Sequence, residues 1–368
     1  MKRFAIGVFY LFVFGAAGYA FGGDGKFTIK GDFRYRHEWI QLEDANSRTR
    51  QRVRARVTIE GKVNDQSNIV FGISSGSPDP VSNNQTLGDG WSSKDVVLDL
   101  AFIEYASKRF SGLSLIGGKM DNPFYLPGES ELIWDSDIRQ EGIVAHYARD
   151  IDSISLFLTG GGFWIEERSK NDNSYMLSGQ AVAEYHLPDG RSTVAVGGSY
   201  FDYENSKGFP PFFDAEDAFG NTTVPAVNSS GDTIEVYTSN FRLMELFAEA
   251  ETKLGIVPVT VMGDYVNNTA VDRLNDGWLV GIRVGKIKKL SSLAFRYIYR
   301  QLNRDAVVGM FTDSDFIGGG TDGKGHEIGA DVQVAPSTSF AVTYFNNTTP
   351  IIDGRNFQRV QVDAKFKF

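Results

Sequence analysis

Arginine stands at every second position from Arg48 to Arg56: Arg48, Arg50, Arg52, Arg54 and Arg56. Arg34 and Arg36 precede them at the same spacing, and Arg296 and Arg300 follow much later. A guanidinium is a permanent cation with a planar fork of donors that matches carboxylate and phosphate oxygens. An array of them is chemistry for attracting and filtering anions. A second charged set falls between 120 and 139: Asp121, Glu129, Glu131, Asp135 and Asp137. These carboxylates are interleaved with Pro123, Pro127 and the apolar Phe124, Tyr125, Leu126, Leu132, Ile133 and Trp134. An apolar cluster inside an otherwise polar loop calls for burial.

Other chemistries find little support. The chain has no Cys, which removes disulfides, thiolate zinc sites, thiol nucleophiles, covalent haem and iron–sulfur ligation. Its four His residues, His37, His146, His186 and His326, fall on separate segments, and none sits in a nucleophile motif. No catalytic residue, metal ligand set or cofactor is assigned. The run Gly318 to Gly325 stops one residue short of a phosphate loop. Gly325 stands where a Ser or Thr must hold magnesium, and no helical pattern follows. Asp313-Ser314-Asp315 resembles the start of a calcium loop but lacks the later Gly and Glu. With 37 Lys and Arg against 46 Asp and Glu, the net charge is −9, a poor footprint for nucleic acid.

The elements that carry these residues alternate. From Phe27 to Trp39 the odd positions are apolar apart from Gly31 and His37, while the even positions include Lys30, Asp32, Arg34, Arg36 and Glu38. A period of two marks a strand with one apolar and one charged face. At about 3.3 Å per residue it reaches about 40 Å, enough to cross an outer membrane at a tilt. The arginine segment repeats the pattern, with Val53, Ala55, Val57 and Ile59 on its other face. The last segment does so again, with Val360, Val362, Ala364, Phe366 and Phe368 against Arg359, Gln361, Asp363, Lys365 and Lys367. Between them, strands are expected near 68–76, 95–106, 112–119, 140–149, 152–165, 173–187, 192–204, 240–253, 257–267, 275–287, 291–303, 324–335 and 337–347. The total is even, about 16.

Connections alternate between short turns and long loops at 77–94, 120–139, 205–239 and 304–323. That asymmetry, with strands apolar outside and polar inside, predicts an all-β fold: a transmembrane antiparallel β-barrel with short periplasmic turns and long surface loops. Backbone polar groups at membrane depth must all be paired, so a sheet there closes on itself. Tyr35, Trp39, Tyr105, Tyr147, Trp164, Tyr185, Trp278, Tyr297, Tyr299 and Tyr344 fit interfacial girdles. Arginine on the lipid face costs roughly 2–4 kcal/mol at the midplane, so the seven early arginines must face the lumen. Arg296 and Arg300 extend the basic lining. Residues 1–20 read as a secretory leader: Met1-Lys2-Arg3, an apolar run from Phe4 to Gly18, then Gly18-Tyr19-Ala20 before cleavage. Residues 21–368 then form a single barrel domain in the bacterial outer membrane.

The stretches Arg48 to Asp65, Gly117 to Tyr125, Trp134 to Ile143, Lys253 to Asn268 and Ala306 to Glu327 carry a resemblance. Over about residue 29 to the end, the chain resembles the bacterial Putative porin family, neighbour to general and phosphate-selective porins. The resemblance implies an outer-membrane barrel for passive diffusion of small hydrophilic solutes, with no catalytic residues. A terminal aromatic such as Phe368 is also what barrel-assembly machinery reads in proteins of this class. General porins fold a third surface loop into the barrel. By that likeness, Asp121, Glu129, Glu131, Asp135 and Asp137 are expected to face the arginine wall across a constriction. Otherwise the loop packs on the rim or on a neighbouring subunit. A basic constriction favours anions whatever the net charge.

The competing role is a barrel that sheathes a partner such as an electron-transfer cytochrome. An open lumen fits such an insert, and a constricted one fits diffusion. A barrel hydrolase is the third class. Expected partners are outer-membrane lipid, lipopolysaccharide and the solutes. Trimerisation suits a barrel of this size, with Gly160, Gly161, Gly162, Gly197 and Gly198 as candidates for a thin wall or for strand bends. Acidic loop residues such as Asp79, Asp313, Asp315 and Asp322 read as solvated surface.

Overall fold

The computed structural model describes residues 19–20, 27–228, 230–352 and 354–368. The leader reading rests chiefly on residues 1–18, outside that set. The barrel opens with β1 (Phe27–Leu42), β2 (Arg48–Lys62), β3 (Ser67–Ser75), β4 (Val96–Ala106) and β5 (Leu113–Asp121). Next come β6 (Arg139–Ile151), β7 (Ile154–Glu166), β8 (Ser174–His186), β9 (Thr193–Glu204), β10 (Phe241–Leu254) and β11 (Val257–Asn268). The last are β12 (Asp276–Gly285), β13 (Leu293–Leu302), β14 (Gly323–Ala335), β15 (Thr338–Thr349) and β16 (Arg355–Lys367). Each expected strand is present, with ends shifted by a few residues.

Every strand pairs antiparallel with the next. The sheet closes where β1 meets β16, from Asp32 opposite Lys367 to Leu42 opposite Phe357. Closure leaves no open edge, which is what a membrane-spanning sheet requires. Among the described residues, helical structure is limited to short 3-10 turns at Pro127–Glu129, Gly309–Phe311 and Phe316–Gly318. None is long enough to cross a membrane.

The tightest turns sit at one end, at 152–153, 255–256 and 336–337. Each uses one residue of positive φ: Asp152 at 52°, Gly255 at 65° and Ser337 at 55°. At Asp152 and Gly255, the first residues of their turns, that geometry matches the twist of two-residue hairpins. The long loops, 76–95, 122–138, 205–240 and 303–322, all emerge at the other end. The 205–240 loop carries a hairpin of its own, Thr223–Val227 with Thr233–Tyr237, which the alternation pattern did not signal.

The outward faces are apolar and bare. Ile143, Leu158, Leu246, Val280, Ile328 and Val342 are about half exposed or more. Lipid covers such a band in an outer-membrane barrel. Val342 lies mid-strand on β15 between Ala330 and Val362. Val342→Arg therefore destabilises the barrel by about 2–4 kcal/mol. The readout is a lower denaturant midpoint for the chain folded into lipid vesicles, and an unchanged midpoint contradicts the lipid-facing assignment. Of the glycines proposed for a thin wall, Gly160, Gly162 and Gly198 face out by alternation. Gly161 and Gly197 face in, where a Cβ on Gly197 would collide with the Phe247 ring.

The apolar core lies inside the barrel, at the long-loop end. Phe124, Leu132, Ile133 and Trp134 from one loop pack with Phe212 and Tyr237 from a second and with Val307 and Met310 from a third. Inward wall residues complete it, among them Met120, Phe163, Phe201, Tyr203, Phe241 and Met262. Burial of these side chains is worth about 1.5–3 kcal/mol each, enough to hold the loops inward.

Candidate functional site

The β1–β2 hairpin fixes the basic wall. Its register sets Asp32 opposite Arg56, Arg34 opposite Arg54, Arg36 opposite Arg52, and Glu38 opposite Arg50. These residues alternate with outward partners such as Phe33 with Ala55 and Tyr35 with Val53. β16 adds Arg359, Gln361, Asp363 and Lys365 to the same face. Arg359 belongs to the wall only because the barrel closes on β1, which is why the strand pattern alone did not single it out. Arg48 lies at the exposed start of β2.

Like charges this close need counter-charges. Arg36 holds Asp363 at 2.7 Å and Asp315 at 3.1 Å. Arg359 holds Asp315 at 2.8 Å and Glu38 at 3.3 Å, and Arg50 also pairs with Glu38. Arg54 and Arg56 share Asp32 at 3.0 and 2.7 Å, and Asp137 at 3.0 and 3.5 Å. Arg34 donates to the Asn84 Oδ1 at 2.7 Å, and Arg52 to the Ser82 Oγ at 3.1 Å. On the far wall, Arg296 pairs with Glu327. Arg300 reaches Asp313 at 3.0 Å and lies 4.7 Å from the Phe316 ring centroid.

The loop at 122–138 crosses the lumen. The Tyr125 backbone N–H donates to Gln180 on β8 at 2.7 Å, and Gly128 donates to Glu249 on β10. The Ser130 hydroxyl donates to Asp264 on β11 at 2.8 Å. Glu129 pairs with Arg283 on β12, and Arg300 on β13 donates to the Glu131 carbonyl at 3.3 Å. Asp137 then returns to Arg54 and Arg56 on β2. The loop is thus stitched to both sides of the barrel. Of the carboxylates expected to face the basic wall, Asp137 meets it directly. Glu129 and Glu131 lie toward the opposite side. Asp121 is the last residue of β5, half exposed and 3.4 Å from Arg139. Asp135 accepts from the Ser314 N–H at 2.9 Å.

A second loop, 303–322, docks on the first. Asp135 N–H donates to the Phe311 carbonyl at 2.8 Å, and the Thr312 hydroxyl lies 3.2 and 3.0 Å from the Glu131 and Leu132 carbonyls. This loop supplies Asp313 and Asp315, which sequence reasoning had left among the solvated loops. Their partners, Arg300 and Arg36, are set by the fold and by no local spacing.

Burial sets the protonation of these loop carboxyls. It pushes Glu131 up to about 8, helped by the neighbouring Asp313. Asp135 is raised by burial and then by Glu131. Burial also raises Asp313, with Arg300 opposing. Burial would likewise raise Asp137, but Arg54 and Arg56 outweigh it and hold the carboxyl well below the usual range. Asp315 is held down in the same way by Arg36 and Arg359. The lumen therefore contains ionised carboxylates at the arginine wall and carboxyls that burial favours as neutral in the loop–loop contact.

The histidines form no common site. His37 meets Gln51 at 2.7 Å, His146 meets Thr159 at 2.9 Å, and His326 meets Tyr297 at 2.8 Å. His186 lies 3.2 Å from the Ser155 Oγ and 3.4 Å from Glu184. Both contacts fall on Nε2, so the carboxylate does not orient the ring from its far nitrogen as a hydrolytic triad requires. Among the described residues no cluster of metal-ligating side chains occurs.

A family model described as Putative porin matches residues 20–368. Several solved outer-membrane structures share the fold. Pseudomonas putida OprB, in its high-pH structure, has a TM-score of 0.59 at 9% identity, covering 93% of this chain and 94% of that one. Salmonella typhi OmpF, in complex with daunomycin, has a TM-score of 0.57 at 13% identity, covering 95% and 99%. A loop-deletion mutant of Vibrio cholerae OmpT has a TM-score of 0.53 at 14% identity, covering 93% and 100%. Among curated proteins no significant match is found. A closed barrel of alternating strands, with an apolar outer band and a charged interior, is thus matched over nearly its whole length by one family: the chain belongs to the Putative porin family of bacterial outer-membrane β-barrels.

Proposed function

We propose that this porin is a restricted channel that favours small anionic solutes. The observation that carries the reading is the charge balance where the third loop meets the wall. Asp32, Glu38, Asp137, Asp315 and Asp363 pair with Arg36, Arg50, Arg54, Arg56 and Arg359. Arg34 and Arg52 remain with neutral partners. That positive excess sits beside the narrowed part of the lumen, and selectivity follows charge at the narrowest point. The wall arginines 34, 36, 48, 50, 52, 54 and 56, with Arg296 and Arg300, line the path. The docked loop bearing Glu129, Glu131, Asp135 and Asp137 narrows it.

A barrel that sheathes a partner protein needs an open bore. Loops packed into the lumen by an aromatic core favour diffusion over that alternative. Liposome swelling with solutes of matched size tests the reading. Anionic solutes enter fastest and cationic ones slowest. Fastest entry of the cationic solute contradicts the anion preference. No swelling from a folded barrel moves the sheath alternative to first place. An association into trimers uses the small outward residues around Gly160, Gly162 and Gly198, with lipid and lipopolysaccharide covering the remaining outer face.

A further inference from the structure

Ser82 and Asn84 stand where the wall has no carboxylate to offer. Asn84 Oδ1 accepts from Arg34 Nη2 at 2.7 Å, and Ser82 Oγ accepts from Arg52 Nη2 at 3.1 Å. Asn84 Nδ2 donates to the same Ser82 Oγ at 3.3 Å, so one short segment links both guanidiniums. Among the described residues no carboxylate lies within ion-pair distance of Arg34 or Arg52. The Nε of each is buried without a hydrogen-bond partner. Both side chains and Asn84 are half-buried and so keep part of their surface open.

The segment is held firmly. Val81, Ser82 and Asn83 are buried. Asn83 donates to Asp99 at 3.2 Å and, through its backbone N–H, to Asp137 at 3.3 Å. Ser314 donates to the Val81 carbonyl at 3.1 Å. Ser82 is therefore fixed in place, and its oxygen already accepts from Arg52 and Asn84. Its hydroxyl hydrogen remains to be donated. Two guanidiniums and one hydroxyl donor thus meet at one short segment, with every carboxylate around them beyond direct contact. A half-buried cation without an ion-paired carboxylate is stabilised by a bound anion. Arginine forks and hydroxyls are the donors that recognise oxygen-bearing anions.

We propose that Arg34, Arg52 and Ser82 form a subsite for a small oxyanion, a phosphate or a carboxylate-bearing solute, which supplies the missing counter-charge. The proposal rests on the channel reading above and adds to it a discrete resting place on the path. A solute there pauses, so it both permeates and competes with chloride.

The test is block of chloride current through the full chain in planar bilayers, with inorganic phosphate or succinate as the added probe. Wild type shows saturable block. Arg52→Gln or Arg34→Gln raises the half-blocking concentration about tenfold or more, in line with loss of a charged hydrogen bond. Arg50→Gln removes the same charge from the same wall and lowers anion preference, but shifts the half-blocking concentration less than about twofold. Stronger block by phosphate assigns one anionic centre bridging both guanidiniums, and stronger block by succinate assigns two separated ones. Equal block in wild type and Arg52→Gln overturns the subsite. So does an equal loss in Arg50→Gln, which reduces the effect to the general field. If the chain carries no current at all, the channel reading fails. Titration of the detergent-folded barrel with phosphate then reads the site alone, and equal heats from wild type and Arg52→Gln overturn it.

Discussion

Trp134→Ala releases the third loop from the lumen and raises single-channel conductance several-fold. Trp134 is 2% exposed and is the largest side chain in the aromatic core. Its ring lies 5.4 Å from Phe201, 6.2 Å from Phe311, 6.3 Å from Tyr203 and 6.5 Å from Phe124. Truncating a buried Trp to Ala costs about 3–5 kcal/mol. The loop keeps Phe124, Leu132 and Ile133 in the core and the ion pairs of Glu129 and Asp137, while its hydrogen bonds are each worth about 1 kcal/mol net because water competes for them. The core is the larger share of what holds the loop in. The barrel wall keeps its own closed ladder of backbone bonds, so the variant still migrates as a folded barrel in an unheated gel. Unchanged conductance from a folded Trp134→Ala barrel contradicts a loop held in by its apolar cluster.

Conductance also rises with pH between about 4.5 and 8, and Glu131→Gln flattens the rise, leaving the smaller part due to Asp135 and Asp313. Glu131 is half-buried at the contact between the 122–138 and 303–322 loops, and its carboxyl is pushed up to about 8. Asp313 and Asp135 face it with Arg300 and Glu327, and the Ser136 N–H donates to it at 2.7 Å. Below about 4.5 the group is neutral whether the loop is docked or free, and docking is at full strength. Between 4.5 and 8 the docked loop holds a proton that the free loop releases. Each pH unit there weakens docking by about 1.4 kcal/mol. Above 8 the loss is complete. Asp137 has the opposite sign: its pKa is lowered, so its contribution is lost only as pH falls below about 3.8. The two limbs do not overlap. Recordings from pH 5 to 8.5 on wild type and Glu131→Gln decide the matter. A parallel rise in both removes Glu131 as the cause.

The strands were legible because one face of each meets lipid and the other does not. Phe27 to Trp39 and Arg48 to Lys62 announce their register through the cost of placing Arg on the outer face. Phe124, Leu132, Ile133 and Trp134 marked the third loop for burial, since they have no place in a solvated loop, but the rim and a neighbouring subunit suited the same cluster as well as the lumen did. What escaped the sequence lies in loop–wall pairs that no period links. Asp315 meets Arg36, and Ser82 meets Arg52, only after closure and docking. Gly161 and Gly197 escaped for a different reason. In a glycine run neither residue marks a face, and only the strand register shows that both point inward.

The central claim is that the basic wall controls the narrowest point. Reversal potential across a planar bilayer under a salt gradient, with the refolded chain as the only conductor, tests it most directly. The expected potential has the anion-selective sign and shrinks when Arg50, Arg52 and Arg54 are replaced by Gln. A cation-selective potential, or an anion-selective one that the triple replacement leaves unchanged, contradicts it.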